Sequence, residues 1–349
     1  MVSCPPPSCQ PVECSSALAL ALGRPTRHDD GVRALCFDGG VVLRQVAAPI
    51  AGHGEATIDV RLAGICGTDL EITRGYKDYR GILGHEMVGT VRHCPSAPQW
   101  EGRRVTAEIN LTCGACPACR AARPKHCERR QVLGILDRPG CFAEQVVVPV
   151  ANLHAVPDGV PDDHAVFTEP LAAAFEVLES APMSPQSRVA VIGDGKLGLL
   201  VVLALRARGI GCVAVGRHPH KLARVAGPGI DTTDPHSMGP APFDVIVEAT
   251  GSAEGLALAL QHIRPRGTVV LKSTYQGSVP LDATRVVVDE IRLVGSRCGP
   301  FDVALAALAN GEVDPSPLID ARYRLADGEA AIAHAARRGV LKVLLEGSR

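Results

Sequence analysis

The chain has 349 residues, a formal charge of -1 and a hydrophobic fraction of 46%. Its length exceeds one ordinary core and makes two domains the default, and no apolar run is long enough to cross a bilayer. The near-neutral charge argues against the basic surface that a nucleic-acid or anionic-membrane partner requires. Thirteen cysteines, an odd number, do not read as a secreted disulfide framework; they read as metal ligands in a reducing, cytoplasmic setting.

Residues 1–30 are rich in Pro, Cys, Ser and Ala, with Cys4, Cys9 and Cys14 evenly spaced and a short apolar patch over residues 17–22. No basic segment precedes that patch, so it does not read as a secretory signal. The stretch is expected to be a disordered or irregular extension, or the product of a start placed upstream of the folded chain.

From Val32 the pattern turns short and alternating. VRALCF, GVVLRQV and ATIDVRLAGI read as strands between Gly, Pro and Asp turns, and RVTAEIN restarts the pattern after Gly102. Residues 64–86 place a thiol, a hydroxyl, an imidazole and a carboxylate at strand ends. Cys66 and His85 are ligand types that zinc selects, and Thr68 and Glu86 stand near them to handle protons or an open coordination position. Two such residues nineteen apart are more often core residues than ligands, so the downstream sequence must decide.

Cys113, Cys116, Cys119 and Cys127 follow in a stretch without hydrophobic periodicity. Spacings of 3, 3 and 8 point to a closed tetrahedral zinc site of structural type; iron–sulfur ligation is the rival, but its runs continue with a different fourth offset. GCFAEQVVVPVANLHAVPDGV then reads as two strands and a Pro-rich boundary. HAVFTEPLAAAFEVLES opens a helix with Glu169 and Pro170 at its start, where a carboxylate is favoured by the helix dipole.

RVAVIG is a continuously apolar strand of the kind buried on both faces of a parallel sheet. Gly193, Gly195 and Gly198 form a Gly-x-Gly-x-x-Gly turn with Lys196 and Leu197 inside it, followed by the helical LLVVLALRARG and the strand CVAVG. That context turns a weak motif into a dinucleotide site, with pyrophosphate at the helix N-terminus. The second strand ends Gly216, Arg217, His218, without the acid that would bind the ribose hydroxyls. With Lys221 nearby, this favours the 2′-phosphate of NADP over NAD; the alternative is a pair of solvated surface cations. FDVIVEATGS, GTVVLKST and IRLVGSRCG read as later strands. VALAALANG and GEAAIAHAARRGVLKVLLE alternate helix with a terminal strand that should return to the first domain.

In this order, Cys66, His85-Glu86, the four-cysteine lobe and the glycine turn resemble the zinc-dependent medium-chain dehydrogenase/reductase superfamily, in its polyol, glucose and threonine dehydrogenase-like branch. The resemblance covers residues 32–349. It implies an α/β protein with a GroES-like β-barrel catalytic domain, residues 31–155 and 300–349, and a Rossmann doubly wound parallel sheet domain, residues 156–299. Cys66 and His85 match catalytic zinc ligands, and Glu86 matches the acid that serves as a ligand or its exchangeable substitute. Asp69 matches the residue that orients the histidine, and Thr68 the hydroxyl that begins the proton relay. Glu169 matches a position where sugar and threonine dehydrogenases carry Glu, which brings it toward the metal as ligand or through water.

Two departures stand out. Ala122 replaces a common Gly, and Leu70 and Glu71 stand where a distal relay His is often found, which leaves the exit route of the proton open. The resemblance further implies two zincs per chain, NADP or NAD, and a small-molecule alcohol or carbonyl substrate, with Glu169 leaning toward a polyol, sugar or cyclitol. It also implies a homodimer or homotetramer paired through a sheet edge, for which GTVVLKST and IRLVGSRCG are the natural candidates. The competing expectations are a zinc-independent quinone or enoyl reductase-like member, and a non-catalytic binding protein on the same fold.

Overall fold

A computed structural model describes residues 31–239, 242–275 and 277–347. The N-terminal extension, with Cys4, Cys9 and Cys14, lies outside the described residues.

Four sheets organise the described residues. The largest has the order β11-β6-β5-β3-β19-β18, with β10 also on β3. It joins Glu55–Gly64 (β3), Glu86–His93 (β5), Arg104–Ala107 (β6), Gln145–Pro149 (β10) and Leu153–Ala155 (β11) to the late strands Ile319–Arg324 (β18) and Lys342–Glu346 (β19). All its pairs are antiparallel except β18 with β19. Gly31–Phe37 (β1), Val41–Ala47 (β2) and Gly81–Ile82 (β4) form a smaller sheet. Asn110–Leu111 (β7), Gln131–Leu133 (β8) and Asp137–Arg138 (β9) form another, beside the cysteine-rich segment. RVTAEIN is thus not one strand but two, β6 and β7, on different sheets.

The register of the large sheet gathers distant residues at one end. Gly64 at the end of β3 pairs with Glu86 at the start of β5 and, on its other side, with Leu344 of β19. The chain turns at Cys66 just beyond, and Lys342 begins β19. Three segments far apart in sequence therefore end together. Gly64 is needed there, because a Cβ on it would run into the Glu86 carboxylate.

The second half is a six-stranded sheet, parallel throughout, in the order β14-β13-β12-β15-β16-β17. Its strands are Val189–Ile192 (β12), Cys212–Val215 (β13), Ile230–Thr233 (β14), Phe243–Glu248 (β15), Ile263–Leu271 (β16) and Arg292–Gly295 (β17). This is the doubly wound arrangement, whose order reverses between β12 and β15 and opens a ligand crevice there. Because β12 is covered on both faces, all four of its residues are buried, as a run of apolar residues without alternation requires. GTVVLKST lies on β16, in the interior of the sheet, whereas β17 is the edge; of the two candidate pairing strands only the second has a free side.

One apolar cluster fills the large sheet's domain around Ile58, Ile65, Leu83 and Phe142. Two others flank the parallel sheet. One is centred on Leu199, Val247 and Phe175, and the other on Ile192, Ile246 and Leu260. The first of these flanking clusters runs on to Leu62, Val88 and Leu344 of the large sheet, so the two halves share packing beside the cleft.

Candidate active site

Cys66 caps the helix Gly67–Ile72, and its backbone N–H donates to Asp69 Oδ2 at 2.8 Å. That bond fixes the turn that presents the thiol. Asp69 is fully buried, and its other oxygen stands 3.2 Å from His85 Nδ1. The two atoms face each other without hydrogen-bond geometry, and neither has another partner. Gly84, at φ +94, makes the bend before His85, and a Cβ there would enter the Phe142 ring. Burial alone would push the His85 pKa down; the electrostatic pull of Asp69 and of the neighbouring Cys66 outweighs it and holds the ring well above its usual range.

The ligand atoms of Cys66, His85 and Glu86 lie within 4.8 Å of one another. Glu86 has no exposed surface; one of its oxygens is paired with Lys342, which is 1% exposed, and the other has no partner. An orphaned carboxylate oxygen beside a thiol and an imidazole is a donor set suited to zinc. Thr68 stands 3.9 Å from the Cys66 sulfur. Glu169 lies in the first turn of the helix Thr168–Ser180 and faces the same cavity of about 760 Å³. Burial and the Glu86 charge push its pKa up, against His85, Lys342 and Lys272, to about 7.

A second donor set closes on itself. The sulfurs of Cys113, Cys116, Cys119 and Cys127 lie within 4.8 Å of one another, with Cys116 at 3.5 Å from Cys119 and 3.9 Å from Cys127. Backbone N–H groups of Ala115 and Cys116 pull the Cys113 pKa down to about 6, whereas burial lifts Cys119 to about 11. Four thiols and no carboxylate, with backbone donors preparing a thiolate, fit a closed zinc site. Ala122 takes φ +54 at the position where a glycine is common, so the backbone keeps the glycine-like turn.

The glycine turn borders both cavities. Gly193, Gly195, Gly216, Arg217 and His218 line a cavity of about 570 Å³ along the ends of β12 and β13. Gly198 packs against the Gly193 carbonyl, leaving no room for a side chain. Lys196 and Leu197 face the larger cleft instead, where Lys196 donates to the Ile65 carbonyl at 2.9 Å. Lys221 is placed differently from the sequence expectation. It is buried, is absent from that cavity's lining, and faces Asp194 at 3.5 Å. Asp194 also accepts from the His218 backbone and ring at 2.8 and 2.9 Å. Arg217 is exposed at the cavity.

Sequence reasoning missed Lys342, Lys272, Arg130 and Arg297, all of which line the cleft. The signal for Lys342 was a single cation inside the apolar run VLKVLLE. A charge in a strand buried on both faces implies a buried partner.

A sheet domain that presents a Cys, His and Glu donor set into a crevice shared with a dinucleotide-type sheet defines a metal- and nicotinamide-dependent oxidoreductase. Sequence comparison gives the lineage. The alcohol dehydrogenase GroES-like domain matches residues 52–158 and the zinc-binding dehydrogenase model residues 197–310. L-threonine 3-dehydrogenase of Streptomyces avermitilis is 31% identical over 333 residues, 88% of this chain and 96% of that one. L-galactonate-5-dehydrogenase of Escherichia coli K12 is 28% identical over 305 residues, 82% and 89% of the two chains. A Sinorhizobium meliloti 1021 dehydrogenase solved bound to NADP superposes with a TM-score of 0.83 at 30% identity, covering 90% of this chain and 99% of that one. The chain belongs to the zinc-dependent medium-chain dehydrogenase/reductase superfamily and is an oxidoreductase acting on CH–OH groups.

Proposed function

We propose that the protein oxidises a secondary alcohol of a polyol, sugar or cyclitol to the ketone, with NADP or NAD as acceptor, and runs the reverse reduction. The observation that carries this reading is the Cys66, His85 and Glu86 cluster in a cleft that also receives Lys196 and Leu197 of the glycine turn. Zinc held by these three would supply Lewis acidity, lowering the pKa of a hydroxyl as it lowers that of water. Asp69, whose carboxylate stands 3.2 Å from His85 Nδ1, would orient the ring by its charge and leave the other ring nitrogen for the metal. Glu86, anchored by Lys342, would be the third ligand; Glu169, facing them with a raised pKa, would be the group to exchange with it or hold a water.

Thr68 would relay the hydroxyl proton, accepting it as its own passes on, and a bound nicotinamide would supply the hydride acceptor, so that alcohol and NAD(P)+ become ketone, NAD(P)H and a proton. Leu70 and Glu71 follow Asp69 with no histidine between, which leaves Thr68 to pass the proton to water in the cleft. The intact donor set argues against a zinc-independent reductase, and the shared cleft against a binding protein. Cys113, Cys116, Cys119 and Cys127 would hold a second, structural zinc.

The glycine turn, with Gly216 and His218, cradles the cofactor. Exposed Arg217, with no free acid at the end of β13, favours NADP, since Asp194 is engaged by His218 and Lys221. The edge strand β17 supports a homodimer or homotetramer, and the thiolate donor sets suit a reducing compartment such as the cytoplasm. No helix among the described residues is long and apolar enough to cross a membrane.

The test is a rate screen at the NAD(P)H absorbance band with polyols, sugars and simple alcohols, against both cofactors, together with metal analysis. Two zincs per chain and turnover of a polyol are expected. Cys66→Ser should cut kcat/KM by roughly a thousandfold or more while the melting curve persists; full activity in that variant overturns the reading.

A further inference from the structure

The charges that line the cleft do not balance. Lys77, Arg130, Lys196, Lys272, Arg297 and Lys342 face it, against the carboxylates of Glu86 and Glu169. Two of the cations have evident work. Lys342 is paired with Glu86, and Lys196 belongs to the nucleotide turn and reaches Ile65.

Arg130, Lys272 and Arg297 form a separate group on the wall between the cysteine lobe and the end of β17. The guanidinium of Arg130 donates to the Lys125 carbonyl at 3.1 Å, and that of Arg297 donates to the same oxygen at 2.5 Å and to Asn110 Oδ1 at 3.5 Å. Lys272 donates to the Arg297 carbonyl at 2.5 Å and to Ser296 Oγ at 3.2 Å. Every one of these acceptors is a neutral oxygen. The nearby Glu176 is engaged by the Lys125 ammonium at 2.8 Å. The Nε of Arg130 is buried without a partner, and Lys272 is only 6% exposed.

Three cations gathered on neutral acceptors, two of them drawn to one carbonyl, repel each other; Arg297 is exposed and partly screened, but Lys272 and the Arg130 Nε are shielded from water. A solvated surface face does not explain the group, because Lys272 and the Arg130 Nε are out of solvent. The cofactor's adenosine end does not explain it either. Its cavity is lined by Arg217 and Arg338, and none of the three reaches it. Glu169 and Glu176 act on Lys272 only at a distance and no carboxylate is bonded to any of the three, so the wall has room for an anion, and forked guanidiniums with an adjacent ammonium match a carboxylate or a phosphate.

We propose that the alcohol oxidised here carries an anionic group, a carboxylate or a phosphate ester, held by Arg130, Lys272 and Arg297 while its hydroxyl lies at Cys66, His85 and Glu86. The inference rests on the dehydrogenase reading above and narrows it from polyols in general to sugar acids or sugar phosphates. The three cations act as specificity residues, set apart from the metal and the hydride.

The experiment uses the zinc-loaded full chain and matched triplets of hexitol, hexonate and hexitol phosphate, with galactitol, galactonate and galactitol 1-phosphate as the first set. One anionic member of a triplet is expected to exceed its neutral hexitol in kcat/KM by roughly a hundredfold, mostly through KM. Arg130→Gln and Arg297→Gln should each lower that ratio about tenfold, and the pair together should bring it near one. Preference for the hexonate identifies a carboxylate, and preference for the phosphate a phosphate ester; both sustain the inference. Neutral hexitols used as well as their anions, or variants that slow all three members alike, overturn it and leave the dehydrogenase reading standing. If no alcohol is oxidised, that reading fails by itself, and calorimetry decides the anion site. Hexonate or hexitol phosphate binding that galactitol lacks and Arg297→Gln loses sustains the site; equal binding of all three overturns it.

Discussion

Among single residues, Lys342 has the largest consequence. An ammonium 1% exposed and a carboxylate with no exposure survive together only because each neutralises the other. In the metal-free protein Lys342→Met should therefore destabilise the fold by about 3–5 kcal/mol, by taking from Glu86 its ion-pair partner. Urea unfolding measures this, and combining Lys342→Met with Glu86→Gln should recover most of the loss. Lys272 sets a pH limit. Burial pulls its pKa down to about 8, against the opposite pull of Cys298, Glu169 and Glu176 and with the added repulsion of Lys125. The ammonium form prevails below that value and the neutral amine above it. For an anionic substrate kcat/KM should consequently fall as pH rises through about 8, since kcat/KM reports the free enzyme. In pH–rate profiles Lys272→Gln should lose that descending limb.

At the level of elements, the site depends on where strands stop. β3, β5 and β19 end together because Gly64 is opposite Glu86 on one side and Leu344 on the other. Gly84 supplies the left-handed bend that brings His85 into line with them. Gly84→Ala must strain that φ and displace the buried Phe142 ring, which should cost ~2–4 kcal/mol and show as a lower urea midpoint. The cysteine lobe, by contrast, carries its own closed donor set. Cys119→Ser should lower zinc by one equivalent in metal analysis while leaving the Cys66 centre its metal. The strands that frame these elements were legible from alternation and from the apolar run of β12. Strand β14, which alternates poorly and contains Asp231, was not, since its position is set by pairing with β13.

The whole molecule puts its chemistry in a cleft lined by two halves of the chain, and it leaves β17 as an unpaired edge. Beside that edge, on the helix Ala283–Val288, Val287 and Val288 are 75% and 73% exposed, more than a solvated helix invites. We expect a dimer or tetramer with this edge inside, which sedimentation measures. Val287→Asp with Val288→Asp should shift the mass toward the monomer if the patch is covered. An unchanged assembly would place the interface elsewhere.

Covalent order in the sequence was enough to point to the family, the four-cysteine set and the nucleotide turn, because ligand spacing and glycine requirements are local, whereas Cys66, His85 and Glu86 gained weight only from the resemblance. Cys113, Cys116, Cys119 and Cys127 read as one site since a short loop can close on itself. The tertiary structure alone decided how Glu86 is held, where Lys221 points and which cations share a wall. Lys342 meets Glu86 across 256 residues, and Arg130 meets Arg297 through one carbonyl oxygen of a third residue. Such pairings follow from sheet register and domain packing, and they leave no periodicity in the chain by which to find them.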